Sequence, residues 1–147
     1  MVILSWRRGA VTLKLQLLRD GEVIFEVPLS PVDWPKKLLR DEFKEAEEDF
    51  QKLSKIFDAL SHETRLRMMR MLIEDDDLTV SFSRLMRDLE LNPKTVWENA
   101  RKLSESGLLL KTGRGRYRCS EFGQGAFMLM SLALRRLMEL LEEMEET

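Results

Sequence analysis

The apolar positions change period along the chain, and each change marks an element. Residues 10–29 alternate, with Val11, Leu13, Leu15 and Leu17 on one face and Thr12, Lys14 and Gln16 on the other. Beyond Asp20-Gly21, Val23, Phe25, Val27 and Leu29 alternate with Glu22 and Glu26. Two alternating strands around Asp-Gly predict a β-hairpin. An isolated hairpin is marginal in water, so its apolar face calls for cover from the rest of the domain or from a partner subunit. Pro28, Pro31 and Pro35 mark a linker, with Trp34 as an anchor. From Asp41 to Leu60 the spacing of Phe43, Ala46, Phe50, Leu53, Ile56 or Phe57, and Leu60 predicts one helix. Ser61 is expected to cap the next helix, with His62 in its first turn and Leu66, Met69 and Leu72 or Ile73 on the buried side.

Further along, Phe82, Leu85, Met86 and Leu89 share one side of a helix over about 81–90, and Leu91-Asn92 forms a turn. Asn92 is a good N-cap and Pro93 suits the first helical position, where its missing N–H is not needed. Val96, Ala100 and Leu103 make the apolar stripe of a helix over 93–106, and Gly107 suits its C-cap. Lys94, Thr95, Trp97, Glu98, Arg101 and Lys102 occupy the opposite face. Helix, short turn, helix is the helix-turn-helix spacing. Leu108-Leu109-Leu110 then reads as a strand, Thr112-Gly113-Arg114-Gly115 as a turn, and Arg116-Tyr117-Arg118-Cys119 as a returning strand. Its alternation places Tyr117 and Cys119 inward and Arg116 and Arg118 outward. The chain closes on a long helix over about 121–146, striped by Phe127, Met130, Leu134, Leu137, Leu141 and Met144. So apolar a stripe predicts helix–helix pairing. The acidic tail Glu139, Glu142, Glu143, Glu145 and Glu146 argues against an anionic lipid surface.

Charge distribution changes the picture more than composition does. The net charge of the 147 residues is −2, which by itself speaks against an anionic partner. Residues 81–120, however, carry nine basic side chains against four acidic ones, or +5, which leaves −7 for the remainder. A local basic face is what phosphate binding requires. A rigid helix can supply base-edge and phosphate contacts together, and a basic hairpin beside it can hold the backbone.

The stretch Ala59-Leu60-Ser61-His62-Glu63-Thr64-Arg65-Leu66-Arg67-Met68-Met69, the helix-turn-helix, and the hairpin ending Tyr117-Arg118-Cys119-Ser120-Glu121-Phe122-Gly123 resemble the ArsR-type winged-helix transcription regulators. The resemblance spans roughly 53–123. It implies a dimer that binds operator DNA through the second helix of the motif and the wing, with the terminal helix pairing against its mate. Many of these regulators release DNA when metal binds cysteines, and here the chain departs from the pattern. It has one cysteine, Cys119, and one histidine, His62. A thiolate metal site needs three or four such ligands at defined spacing, so no metal site and no cofactor is expected. Asp75-Asp76-Asp77 reads as a solvated loop. There is no phosphate-binding glycine loop followed by Lys-Ser/Thr, and no nucleophile–histidine pairing in a plausible context, so no catalytic residues and no enzyme are expected. Lacking a long apolar run or a signal peptide, the chain is expected to be cytoplasmic.

The expected fold class is mainly α with small β elements, a winged helix-turn-helix with an N-terminal β-hairpin and a long C-terminal helix. The expected division is 1–35 for the hairpin and linker, 36–123 for the DNA-binding domain, and 124–147 for a dimerisation helix carrying Phe127, Met130, Leu134, Leu137 and Leu141. The expected partners are double-stranded DNA and a second copy of the chain. DNA contacts fall to Lys94, Thr95, Trp97, Glu98, Arg101 and Lys102 on the recognition helix and to Lys111, Arg114, Arg116 and Arg118 on the wing (108–120). Two alternatives stand beside this. One is a winged-helix module that grips another protein. The other is a single-strand or RNA binder, which would want more exposed aromatics beside the basic residues than Trp97 alone.

Overall fold

The computed structural model describes residues 12–146, which divide into two compact units, 12–49 with 137–146, and Phe50–Arg136. In the first unit, β1 (Lys14–Arg19) and β2 (Glu22–Pro28) pair antiparallel around Asp20 and Gly21, whose φ values of 49° and 86° are those of a tight primed turn. Ala10 and Val11 of the expected first strand lie outside the described residues. The register shifts between Leu17 and Leu18: Leu17 faces Phe25, but Leu18 faces Val23. Ile24 is the extra residue of a β-bulge, so Val23 does not continue the face of Phe25 and Val27 as simple alternation predicts. A short 3-10 turn at Pro31–Asp33 follows, and the Trp34 indole N–H donates to the Pro28 carbonyl at 2.8 Å, which anchors the linker to the end of β2.

The helix expected over 41–60 is two helices. The first, α1 (Lys36–Glu48), begins directly after Pro35, and α2 (Phe50–Ala59) belongs to the second unit. Asp49 separates them with φ −101° and ψ 4°, its N–H turned back to the Ala46 carbonyl. Apolar spacing continues across Asp49, but the backbone does not. Phe43, Phe50 and Phe57, which share the expected stripe, are exposed, while Ile56, Ala59 and Leu60 are buried.

The second unit has a three-stranded antiparallel sheet packed with helices around one core, and its strand order places the last strand in the middle. It runs through α3 (Glu63–Glu74), β3 (Thr79–Ser81), α4 (Phe82–Leu89), α5 (Pro93–Glu105), β4 (Leu109–Lys111), β5 (Arg116–Cys119) and α6 (Glu121–Phe127). Met68, Met69, Leu72, Leu85, Val96, Leu103 and Leu108 are fully buried at its centre. β3 is too short to announce itself in sequence. It exists because β5 offers Val80 a partner in Tyr117. The cap of α3 is His62, not Ser61. The Ser61 hydroxyl donates to the Asp58 carbonyl at 2.7 Å and closes α2 instead.

The C-terminal helical run is α6, a π-helical turn at Met128–Ala133, and α7 (Leu134–Glu146). Ser120 caps it, its Oγ accepting the Gly123 N–H at 2.8 Å and donating to the Gly107 carbonyl at 2.6 Å. Gly123 permits this close passage, because a Cβ there would stand 2.3 Å from the Leu108 carbonyl oxygen. No described helix is long and apolar enough to cross a membrane.

Candidate nucleic-acid interface

The fold of the second unit is a winged helix-turn-helix, and its local geometry follows from a few side chains. Ser81 caps α4 by accepting the Arg84 N–H at 3.1 Å. Glu90 takes a left-handed conformation (φ 53°) at the end of α4, and two residues later Asn92 accepts the Thr95 N–H at 2.8 Å to start α5. Pro93 fills the first position and Gly107 (φ 82°) follows the end of the helix. The wing is β4, a turn containing Gly113 and Gly115 (both φ 69°), and β5. Its tip is tied to the motif: the Phe82 N–H, at the start of α4, donates to the Gly115 carbonyl at 2.8 Å. This bond extends the β3–β5 pairing, which already joins the wing to the strand that leads into α4.

Tyr117 and Cys119 point into the core, and burial pushes the phenol and the thiol above their ordinary pKa values. Raising the thiol suppresses the thiolate, the form that would bind metal. His62 is exposed at the start of α3, and no group of three or more metal-capable side chains comes together among the described residues. Asp75 is not merely solvated. Its carboxylate accepts the Asp77 N–H at 3.0 Å and the Thr79 N–H at 3.2 Å, and pairs with Arg84 at 3.3 Å, shaping the turn from α3 into β3.

On α5, Lys94, Trp97, Glu98, Arg101 and Lys102 are exposed and Thr95 is half-buried. Their charges are already matched: Lys94 with Glu98 at 4.0 Å, Arg101 with Glu105 at 3.7 Å, and Lys102 with Asp58 on α2 at 3.4 Å. Trp97 is 54% exposed, and the Arg101 guanidinium lies 5.2 Å from its ring centre, a cation–π pairing that covers part of the indole. The wing differs. Lys111, Arg114, Arg116 and Arg118 are exposed, and no described residue forms an ion pair with any of them.

Along the C-terminal helix, Phe127 and Met130 pack against the core of their own unit, Leu134 is exposed, and Leu137 and Leu141 are half-buried. The exposed apolar stripe is carried by Met128, Leu129, Leu132, Leu134 and Met138. Two side chains have a role that the sequence reading did not assign them. Arg65 is buried, and Asn99 links it to α5. The available signal was position: Arg65 falls in line with Met68, Met69 and Leu72, a charge on an apolar stripe.

No protein-family profile matches the chain, and no curated protein matches it. Among solved structures, the chain is similar to the transcriptional repressor BigR from Xylella fastidiosa, at 21% identity over 60% of this chain and 93% of that one, with a TM-score of 0.46. An ArsR family transcriptional regulator is similar at 22% identity over 60% and 92%, TM-score 0.45. A MarR family transcriptional regulator from Streptomyces coelicolor is similar at 16% identity over 72% and 76%, TM-score 0.48. These likenesses are partial and at low identity. They do not single out the ArsR type, and they assign this chain no function.

Proposed function

We propose that the protein is a sequence-specific double-stranded DNA-binding regulator of transcription, acting as a homodimer through α5 and the wing. The observation that carries this is the charge of Lys111, Arg114, Arg116 and Arg118, unmatched among the described residues, on a hairpin tied to a helix-turn-helix. Four such cations around a glycine-tipped turn have no packing role, and phosphate supplies the missing partner. The matched charges of α5 suit a different task. Exposed ion pairs hold side chains in place at a value of about 0–1 kcal/mol each, so DNA can displace Glu98 or Glu105 at little expense and use the released groups at base edges. The second copy would cover Met128, Leu129, Leu132, Leu134 and Met138, and place two α5 helices about one DNA turn apart, ~34 Å.

The test is selection of bound fragments from random duplex DNA, followed by titration against salt. The parent should enrich a motif with two half-sites. Arg114→Ala with Arg116→Ala should weaken binding to every sequence and reduce the salt slope by ~0.9 log unit for each phosphate that is no longer neutralised. Enrichment of no motif, with a salt slope untouched by the wing changes, would transfer the same surface to the protein-interaction alternative.

A further inference from the structure

Arg65 is the one charged side chain that is buried among the described residues, at 5% exposure. Its Nε donates to the Ala59 carbonyl at 2.7 Å and its Nη2 to the Asp58 carbonyl at 3.0 Å. These oxygens end α2, where the helix dipole favours a cation, and the Asp58 carbonyl also accepts the Ser61 N–H and hydroxyl. The third arm, Nη1, crosses to α5 and donates to Asn99 Oδ1 at 2.8 Å. Asn99 then donates its Nδ2 to the Thr95 carbonyl at 2.8 Å, one turn nearer the N-terminus of the same helix. Three residues beyond Asn99, Lys102 reaches the carboxylate of the same Asp58 at 3.4 Å. The end of α2 therefore grips α5 at two successive points on one face.

An isolated buried charge is a poor way to stabilise a core, since an apolar side chain of similar volume often serves as well or better. What the guanidinium adds is direction. Its donors lie in one rigid plane, and here they meet three oxygens on two helices. A planar fork fixed at two carbonyls leaves its third arm one position in space. Asn99 must come to that position, which fixes the rotation of α5 about its own axis. The buried Val96, Ala100 and Leu103 decide which face of α5 turns inward, and the Asn99 contact removes the rotational play that this packing leaves.

We propose that Arg65, acting through Asn99, is the positioning residue that sets the rotation of α5 and thereby the DNA sequence preference of Thr95 and Trp97. This rests on the DNA-binding reading of α5. The two residues touch no DNA themselves; they decide which side chains do.

The experiment uses the full chain with Asn99→Ala, Asn99→Asp and Arg65→Lys. Asn99→Ala removes the third arm's acceptor but leaves Arg65 its two carbonyls, so the variant keeps its fold, as its thermal transition will show. Affinity for random duplex and the salt slope should match the parent, because the wing is untouched. Preference for the parent's selected motif over random duplex should fall at least about fivefold, the smallest effect expected for one misplaced base-reading side chain. Asn99→Asp retains an oxygen toward the guanidinium and should recover most of that preference. Arg65→Lys should not, because an ammonium cannot span three acceptors in one plane. In the free protein, amides from Val96 to Leu103 should exchange faster in Asn99→Ala while those of α4 do not change. The proposal is overturned by an Asn99→Ala variant that keeps the parent's motif and stringency, or that loses motif and random binding in equal proportion. A parent that enriches no motif at all sinks the DNA reading and this inference with it; a parent that enriches one, alongside an unchanged Asn99→Ala, sinks the inference alone.

Discussion

The two units use apolar residues in opposite ways. In the winged-helix unit Met68, Met69, Leu72, Leu85 and Leu103 are fully buried, and every stripe that the periodicity assigns to α4 and α5 finds a neighbour in the same chain. In the hairpin unit, Leu17 is 50% exposed and Phe25 42%, with Leu18, Val23 and Ile24 similarly open. Phe25, Val27, Pro28 and Leu29 face Leu39, Phe43 and Ala46 only across an open groove of about 290 Å³ around Trp34. Both units have well-formed amphipathic patterns. The pattern states that a face needs cover, and it does not state which chain supplies it. The same holds for the C-terminal helix, whose Phe127 and Met130 are satisfied within the chain while Leu132 and Leu134 are not.

The contrast is tested most severely by truncating one residue of each kind. Leu85→Ala removes a fully buried side chain and should cost about 2–5 kcal/mol in urea unfolding. Phe25→Ala, measured at concentrations low enough to disfavour association, should stay within about 0.5 kcal/mol of the parent. If Phe25→Ala costs as much as Leu85→Ala in the isolated chain, the hairpin face is covered after all and the contrast fails. If its cost appears only at high concentration, a second copy supplies the cover.

Next in size is a pair of glycines two residues apart on α6. Gly123→Ala places a methyl against the Leu108 backbone, and overpacking of this kind should cost about 1–3 kcal/mol. Gly125 has open space where a Cβ would go, so Gly125→Ala should stabilise by about 0.4–1 kcal/mol. Thermal unfolding of the two variants gives the sign directly. Equal effects would mean that α6 does not pass Leu108 so closely.

Much of this architecture was legible because it rests on local chemistry. Asn92-Pro93 announces the start of α5, Gly107 its end, Asp20-Gly21 the hairpin turn, and the alternation of Arg116 to Cys119 the two faces of β5. Elements that depend on a distant partner were not legible. β3 needs β5 beside it, and the break at Asp49 interrupts a stripe whose spacing runs on unbroken. Ser61 has the chemistry of an N-cap yet serves the preceding helix, because Asp58 lies within reach. Within the candidate interface, residue types marked the exposed cations of α5 and the wing. The distinction between matched and unmatched charge came only with the neighbours. Arg65 was invisible as anything but a motif residue, since its three acceptors are two main-chain oxygens and an amide 34 positions away.

A smaller effect separates caps from surface pairs. Asn92→Ala leaves the Thr95 N–H without its acceptor and should destabilise the winged-helix unit by ~1 kcal/mol. In the hairpin, Glu26→Gln removes the exposed pairing with Lys14 and should change stability by only ~0–1 kcal/mol. Both are read by urea unfolding. An Asn92→Ala variant as stable as the parent would show that another group satisfies the first turn of α5.

The least of the expected effects is the acid response of the turn between α3 and β3. Asp75 is held below the ordinary carboxylate pKa, first by the Thr79 N–H, then by the Asp77 N–H, with Arg84 adding to them. A group whose pKa is depressed by folding stabilises the folded state fully at pH values above its unfolded pKa, and that contribution disappears as pH falls through the lower folded value. Asp75 should therefore add nothing to the pH dependence between neutrality and about pH 4, and should make unfolding easier below it. Asp75→Asn lacks the charge at every pH, so it should be less stable than the parent at neutral pH, and the gap should narrow on acidification. Thermal unfolding of parent and variant from about pH 7 down to pH 2 measures that gap. Amide exchange localises it: at low pH the Asp77 and Thr79 amides should lose protection ahead of β5, while the β1–β2 amides, which receive nothing from Asp75, serve as the control. A gap that stays constant with pH would mean that the carboxylate contributes shape to this turn and not charge.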